Sequence, residues 1–290
     1  MYSNGFILSF IAYLSFSFMD VINKFIFATV SIDFFSYMLW LDLAIIFALI
    51  MFGIANHNFS LQFFKTNNYK PILLRSVISV GNTLCSLVAI SHLPFHLFYI
   101  LAFMQPIIAS CLSIIFNMER LKMGKILLII LGFVGVLVSI KIWDFNSNHI
   151  AIFAIAAGLG IALTGALSGI VVKKYMVTDN AITIAIYNIL LSILVACGYF
   201  IISTKHIFIP NLHVATMILG AGTACAAGIV FFMKSYQTGE VQTISQLQYT
   251  QIIWGTFFGY LIFHEIPSLY SVLGAVIIIV VNTLNLKTEQ

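Results

Sequence analysis

Apolar residues in this chain gather into ten runs: 5–28, 34–54, 72–92, 94–116, 124–142, 150–172, 181–203, 213–235, 241–263 and 268–286. Each is near the roughly 20 residues that a helix needs to cross the hydrocarbon core of a bilayer. Short polar segments punctuate them: Asn56–Lys70, Asn117–Met123, Trp143–His149, Lys173–Asn180, Lys205–Asn211 and His264–Pro267. Two stretches are nearly continuous. The first divides at His92-Leu93-Pro94, because proline disfavours helix in the residue before it; the second divides at Thr238-Gly239-Glu240. The pattern predicts an all-α integral membrane protein with ten transmembrane helices.

Composition agrees with that pattern. Hydrophobic residues make up 61% of the 290 residues and charged residues only 8%, against about 25% charged in soluble domains. The net charge of +4 is spread along the chain, which argues against a nucleic-acid partner. The lysines and arginines set the orientation. With the N-terminus cytoplasmic, ten fall on that side (Lys65, Lys70, Arg75, Arg120, Lys122, Lys125, Lys173, Lys174, Lys234, Lys287) and three on the other (Lys24, Lys141, Lys205). An even number of spans then makes the C-terminus cytoplasmic too. Cys85, Cys111, Cys197 and Cys225 all lie in apolar runs without a CxxC pair, so they read as buried thiols. Met1–Phe6 has no basic n-region, so the first run reads as a retained helix.

The two halves resemble one another. A shift of 146 residues places Leu101 on Leu247, Gln105 on Gln251, Ile107 on Ile253 and Glu119 on Glu265, and the small pair Ala109/Ser113 on Gly255/Gly259. Five spans per half is an odd number, so the second half must be inverted in the membrane. The expected units are 1–143 and 144–290. Inverted repeats build many secondary transporters, with the solute site near the midplane between the halves.

Longer motifs carry a family resemblance. Arg75 opens the third span; Ala89-Ile90-Ser91-His92-Leu93-Pro94, Gln105-Pro106, Glu119-Arg120-Leu121, Gly132 and Gly135 follow. The second half has Tyr236-Gln237-Thr238-Gly239, the Gln248–Gly255 run, Glu265-Ile266-Pro267 and Gly274. This order resembles the EamA-type branch of the drug/metabolite transporter superfamily, which implies two five-helix repeats of opposite topology and a small-metabolite cargo. Met19-Asp20-Val21-Ile22-Asn23-Lys24 and Gln248–Gly255 are also similar to carriers of S-adenosylmethionine, and Asn23 enters the candidate site through that resemblance. The family often has an arginine in the second span, where this chain has Leu39-Trp40-Leu41-Asp42-Leu43. Any role of that arginine is not carried over.

Ionisable groups in a membrane cost about 2.5–3.5 kcal/mol each on insertion scales, so they face a protein interior or a wet cavity. Asp20 and Lys24 are one helical turn apart, close enough to pair. Either they line a cavity for a zwitterionic or cationic solute, or they form an ion pair near the outer interface. Asp42 has no partner nearby in sequence; it serves a cation or proton, or pairs with a neighbouring helix. Gln105 and Gln251 can donate and accept hydrogen bonds without charge, and symmetry brings them toward the axis between the halves. Pro106 loosens the helix beside Gln105. At 100° per residue, Gln248, Gln251, Trp254, Gly255 and Phe258 share one face, apart from Gln242, Gln246 and Tyr249. That face suits a small organic ligand or a helix–helix contact, and Tyr99 adds an aromatic that can hold a cation. Gly165-xxx-Gly169 and Gly255-xxx-Gly259 read as packing seams, Glu119 and Glu265 as fixing turns at helix ends or else as gating groups, and Lys234 as snorkelling or else facing the cavity.

The expected function is secondary transport by alternating access, with a small-molecule substrate, the bilayer as surroundings and no cofactor. The sequence has no GxxxxGK[ST] loop for ATP, no GxSxG nucleophile and no HExxH metal spacing. A membrane-embedded enzyme therefore has little to stand on. A non-transporting helper subunit is the other alternative, and the retained polar groups Asp20, Lys24, Asp42, Gln105 and Gln251 argue against it. Amino-acid-like, amine and nucleoside-bearing solutes, S-adenosylmethionine among them, fit this mixture of groups.

Overall fold

The computed structural model describes residues 2–55, 66, 69–93, 95–120, 123–139, 152–264 and 266–289. Regular structure among them is helical throughout: α1 (Tyr2–Thr29), α2 (Phe34–Ala55), α3 (Tyr69–His92), α4 (Phe95–Ala102), α5 (Gln105–Ile115), α6 (Met123–Ser139), α7 (Ile152–Tyr175), α8 (Ala181–Ser203), α9 (Leu212–Thr238), α10 (Val241–Gln246), a 3-10 turn (Leu247–Tyr249), α11 (Thr250–Phe263) and α12 (Leu269–Glu289). Glu265, Lys65, Lys122, Lys141 and the expected boundary at 143/144 lie outside the described residues.

Helix starts follow from short polar side chains that accept otherwise unpaired N–H groups. Asp33 accepts from Ser36 (3.0 Å), Asn180 from Ile182 (2.9 Å), Asn211 from Val214 (2.9 Å) and Ser268 from Ser271 (3.1 Å). Among the described residues six segments are long and apolar enough to cross a membrane: Asn4–Thr29, Phe34–Ile54, Phe98–Ile115, Ile152–Tyr175, Ala181–Ser203 and Leu212–Thr238. Met123–Ser139 and Leu269–Leu284 are shorter apolar helices. Large apolar side chains such as Phe47, Leu194, Ile201 and Ile202 point outward, while Ala12, Ala162, Ala166 and Ala221 are fully buried where helices meet. This is an inside-out distribution suited to lipid.

Both divisions at the near-continuous stretches appear where Pro94 and Gly239 suggested, with α3 ending at His92 and α9 at Thr238. The runs that follow them are not single helices, however. The run 94–116 is interrupted at Phe103 and Met104, just ahead of Pro106, which sits in the first turn of α5, where its missing N–H does no harm. The run 241–263 is interrupted by the 3-10 turn at Leu247–Tyr249, with neither proline nor glycine inside it. The two interruptions overlap under the shift of 146 residues, Phe103 corresponding to Tyr249.

Packing joins the halves closely. α1 lies on α9, α3 on α7, α2 against α8 and α9, α8 against α3, and α6 against α12. Glycines permit the closest approaches. A Cβ at Gly222 would stand 2.5 Å from the Ala44 Cβ, and one at Gly274 would stand 2.5 Å from the Gly135 carbonyl oxygen. Gly165 and Gly169 do form a seam on α7, holding the Gln105 carboxamide and the Tyr236 ring where Cβ atoms would otherwise sit. The expected seam at Gly255 is corrected: it is exposed, with nothing within 4 Å of its Cβ position. The cysteine expectation is corrected too, since only Cys225 is buried and Cys111 is exposed on an apolar helix face; all four are free thiols.

Candidate functional site

Asp20 sits in the sixth turn of α1. Its side chain is exposed, and it lies on a helix long and apolar enough to cross the membrane. On a 100° wheel Tyr13, Phe16, Ser17, Asp20 and Lys24 share this face of α1. Asp20 lies within electrostatic reach of Tyr37 on α2, Tyr99 on α4 and Cys225 on α9. Tyr99 is likewise exposed. The Tyr37 hydroxyl donates to Asn23 Oδ1, and the Tyr37 ring packs edge-on to Phe27 with centroids 4.8 Å apart. Among the described residues no ion pair joins Asp20 to Lys24, which is exposed one turn further along.

Asp42 on α2 is buried, and its Oδ2 accepts from the Ser192 hydroxyl of α8 at 2.5 Å. Cys225 lies within electrostatic reach of both Asp42 and Asp20. Two carboxyl groups thus flank one position on α9, one exposed and one buried.

Beneath Asp20 the bundle closes. Tyr13, Phe16, Phe232 and Tyr236 pack ring against ring with centroids 4.8 to 6.4 Å apart. The Tyr13 and Tyr236 hydroxyls are buried beside one another and beside Gln105, close enough to interact but outside good hydrogen-bond geometry. Gln105 itself is buried against Gly165.

Gln105 and Gln251, expected to approach the axis between the halves, share no hydrogen bond among the described residues. Gln251 is half-buried on α11, and the residues two places earlier meet instead, Phe103 and Tyr249 with centroids 6.2 Å apart. The Tyr249 ring rests over Gly132, where a Cβ would stand 2.6 Å from it. The interruptions explain the difference, because each re-aims the side chains that follow it. Of the five residues expected on one face, Gln251, Trp254, Gly255 and Phe258 share α11 at helical spacing, while Gln248 falls in the 3-10 turn. A 3-10 turn advances about 120° per residue, so Gln242, Gln246, Gln248 and Tyr249 are all buried together. The Gln248 Oε1 and Trp254 Nε1 atoms are buried without hydrogen-bond partners, and Trp254 packs edge-on to Phe10 at 5.3 Å.

A separate open groove of about 530 Å³ lies between α1, α9 and α11, lined by Leu14, Phe18, Thr223 and Phe258. It is apolar and lies on the opposite face of α1 from Asp20, so it belongs to the outer surface rather than to the polar site. Tyr37, Ser192 and Tyr13 were not singled out from the sequence, and Tyr236 entered only as part of a family motif. A tyrosine in so aromatic a chain carries no signal of its own, and a serine in an apolar helix carries little.

At one end of the bundle lies a second polar region. The Glu119 carboxylate accepts the N–H groups of Val241 and of Gln242, the latter at 3.2 Å. Lys125 is buried, pairs with Glu240 and donates to Thr243 at 3.0 Å. Lys173 donates to the Gly239 carbonyl at 2.7 Å. Glu119 therefore does more than fix its own turn, since its partners are on α10. Burial pushes the Glu119 pKa up, against the pull of the two N–H groups.

Residues 152–286 match the EamA-like transporter family. That match makes the second half of the chain an EamA-like transporter domain. A pseudopaline exporter of Pseudomonas aeruginosa (strain UCBPP-PA14) is 23% identical over 209 residues, covering 72% of this chain and 72% of the relative. An S-adenosylmethionine uptake transporter of Rickettsia conorii is 22% identical over 182 residues, covering 62% of this chain and 59% of the relative. A riboflavin transporter of Brucella anthropi is 20% identical, covering 74% and 75%. A protein of known crystal structure superposes with a TM-score of 0.86 at 13% identity, over 98% of this chain and 97% of its own, and so shares the fold. The matched family and these relatives are transporters rather than enzymes, and with the apolar helices they indicate a multi-pass protein of the cell membrane.

Proposed function

We propose that this transporter carries a cationic or zwitterionic organic metabolite, S-adenosylmethionine being the solute to test first. It works by alternating access of two inverted five-helix repeats, 1–143 and 144–290, with ten crossings and both termini cytoplasmic. The helix pairings support the repeat. Counting α4 with α5 and α10 with α11 as single crossings, exchange of each crossing for the one five places on converts α1–α9 into α7–α3, and α2–α9 into α8–α3. It leaves α2–α8 and α6–α12 unchanged, and every one of these pairs is in contact. Phe103 against Tyr249 is the meeting expected of equivalent residues near a two-fold axis, and interrupted helices at matching places are a feature of transporter sites.

One observation carries the substrate class: an exposed carboxylate within a membrane-length helix, Asp20, lies within electrostatic reach of Tyr37 and Tyr99. A carboxylate beside aromatic rings suits a cation held by charge and by cation–π contact. S-adenosylmethionine has a sulfonium, an amino acid head and a nucleoside, and the name of the Rickettsia relative agrees. Asn23, Lys24, Asp42, Gln105, Gln248, Gln251 and Trp254 complete the proposed binding set. The test is uptake of labelled S-adenosylmethionine into proteoliposomes, with and without adenosylhomocysteine trapped inside. Saturable uptake that the trapped solute stimulates, and that Asp20→Asn reduces at least tenfold, is expected. Uptake undiminished in a monodisperse Asp20→Asn protein would remove that residue from the site, and no uptake by wild type would exclude this solute.

A further inference from the structure

The polar region around α10 is built as a removable closure. Its bonds run from the first half of the chain to the second: Glu119 to the Val241 and Gln242 N–H groups, Lys125 to Glu240 and Thr243, Ser9 to the Ile244 carbonyl at 3.3 Å. A short helix such as α10 exposes its first N–H groups unless something caps them. Its own N-cap residue, Glu240, makes no side-chain cap bond and is engaged by Lys125 instead. The capping function is thus delegated to Glu119, in the other half of the chain.

Two features make the arrangement reversible. α10 is a six-residue stub between Gly239 and the 3-10 turn at Leu247–Tyr249, so interruptions on both sides let it pivot without unwinding a long helix. Its partners are polar groups that water can replace, since Glu119 is half-buried and the Glu240 side chain is 25% exposed. Behind the stub the Tyr13, Phe16, Phe232 and Tyr236 rings fill the bundle, whereas Asp20 beyond them is exposed. The second half also braces its own side, through Lys173 on the Gly239 carbonyl and Gln237 on the Met176 and Asp179 carbonyls at 2.7 and 2.8 Å.

We propose that Glu119, Lys125 and Glu240 form a latch that closes this end of the transport path by holding α10 to the first half, and that α10 is the part that swings when the path opens there. This rests on the alternating-access reading. Loss of one charge-assisted hydrogen bond corresponds to about a tenfold change in an equilibrium, so removal of Glu119 is expected to raise the open fraction at this end by that factor or more.

Spin labels at Asn117→Cys and Lys234→Cys, both exposed and on opposite sides of the latch, report its opening in a chain with Cys85, Cys111, Cys197 and Cys225 replaced by alanine. Wild type is expected to give mainly one short separation. Glu119→Ala and Lys125→Ala should each add a longer population, and the exchange Lys125→Glu with Glu240→Lys should restore the short one. Distributions unchanged in both alanine variants would overturn the latch. The measurement needs no solute, so it decides this point whether or not the uptake assay succeeds.

Discussion

The Asp42–Ser192 contact gives the sharpest energetic test, because it isolates one bond between two helices. Asp42 is 5% exposed, Ser192 is 8% exposed, and the oxygen–oxygen distance is 2.5 Å, within the range of a hydroxyl donating to a carboxylate. A hydrogen bond to a charged group contributes about 1.5–3 kcal/mol. Ser192→Ala removes the donor and leaves a buried acceptor behind, so the loss should fall at the upper part of that range, roughly a hundredfold in the folded-to-unfolded ratio. Asp42→Asn keeps an acceptor for the hydroxyl and should cost less. Unfolding of the purified protein in mixed micelles of increasing dodecyl sulfate reads these ratios, and the double variant closes the cycle. A coupling of about 1 kcal/mol or more between the two substitutions is expected. Single effects that add to within about 0.3–0.5 kcal/mol would mean that the side chains do not interact, and α2 would then need another explanation for tolerating a buried acid.

The glycines of α7 allow a second test. Gly169→Ala forces the Tyr236 ring to shift and Gly165→Ala displaces the Gln105 carboxamide, each costing about 1–3 kcal/mol as overpacking does, whereas Gly198→Ala meets nothing within 4 Å and should be neutral in the same unfolding assay. Gln251→Ala should lower uptake without lowering membrane insertion, as read by transport against protein recovered in the membrane fraction; full uptake would remove Gln251 from the site. Acidity should act through Glu119, whose neighbours with charge are Lys125, Glu240 and Lys173. Burial raises its pKa when latched, so the latched form holds its proton more firmly than a released, hydrated carboxyl does, and lowering the pH toward the ordinary glutamate range of about 4.3 favours closure. That advantage is lost as pH rises through the raised pKa. The short spin-label separation should therefore gain population on acidification, and Glu119→Gln should abolish the pH response.

Helix positions were legible because hydropathy and local punctuation act through nearest neighbours. Proline disfavours helix in the residue before it, α9 gives way at Gly239, where a Cβ would stand 2.6 Å from Ile244, and Asn180 and Asn211 start helices through bonds to residues two and three places on. The interruption at Leu247–Tyr249 has no such cause in its own residues, which are apolar or neutral and form continuous helix elsewhere. Tyr249 is instead held between Phe103 and the space left by Gly132. Those partners stand more than a hundred residues away along the chain, and no window of sequence contains both.

The candidate site divides along the same line. Asp20 and Asp42 stand out in any reading of the sequence because a charge within an apolar helix requires a reason; Ser192 and Tyr37 acquire meaning only from the acids they meet. The repeat shift assigned corresponding positions to Gln105 and Gln251, yet their directions depend on where each helix is interrupted, and there the aromatic residues meet while the amides do not. Glu119 shows the limit most clearly. In sequence it is a carboxylate closing a helix, equivalent to Glu265, and local turn geometry is its simplest role. In the folded chain its oxygens face the start of α10, a helix without a side-chain cap of its own and the one proposed to swing when the path opens. A cap supplied from across the moving boundary ties the order of α10 to the closure of the path. Local side-chain caps, of the kind found at α8 and α9, would leave the two independent.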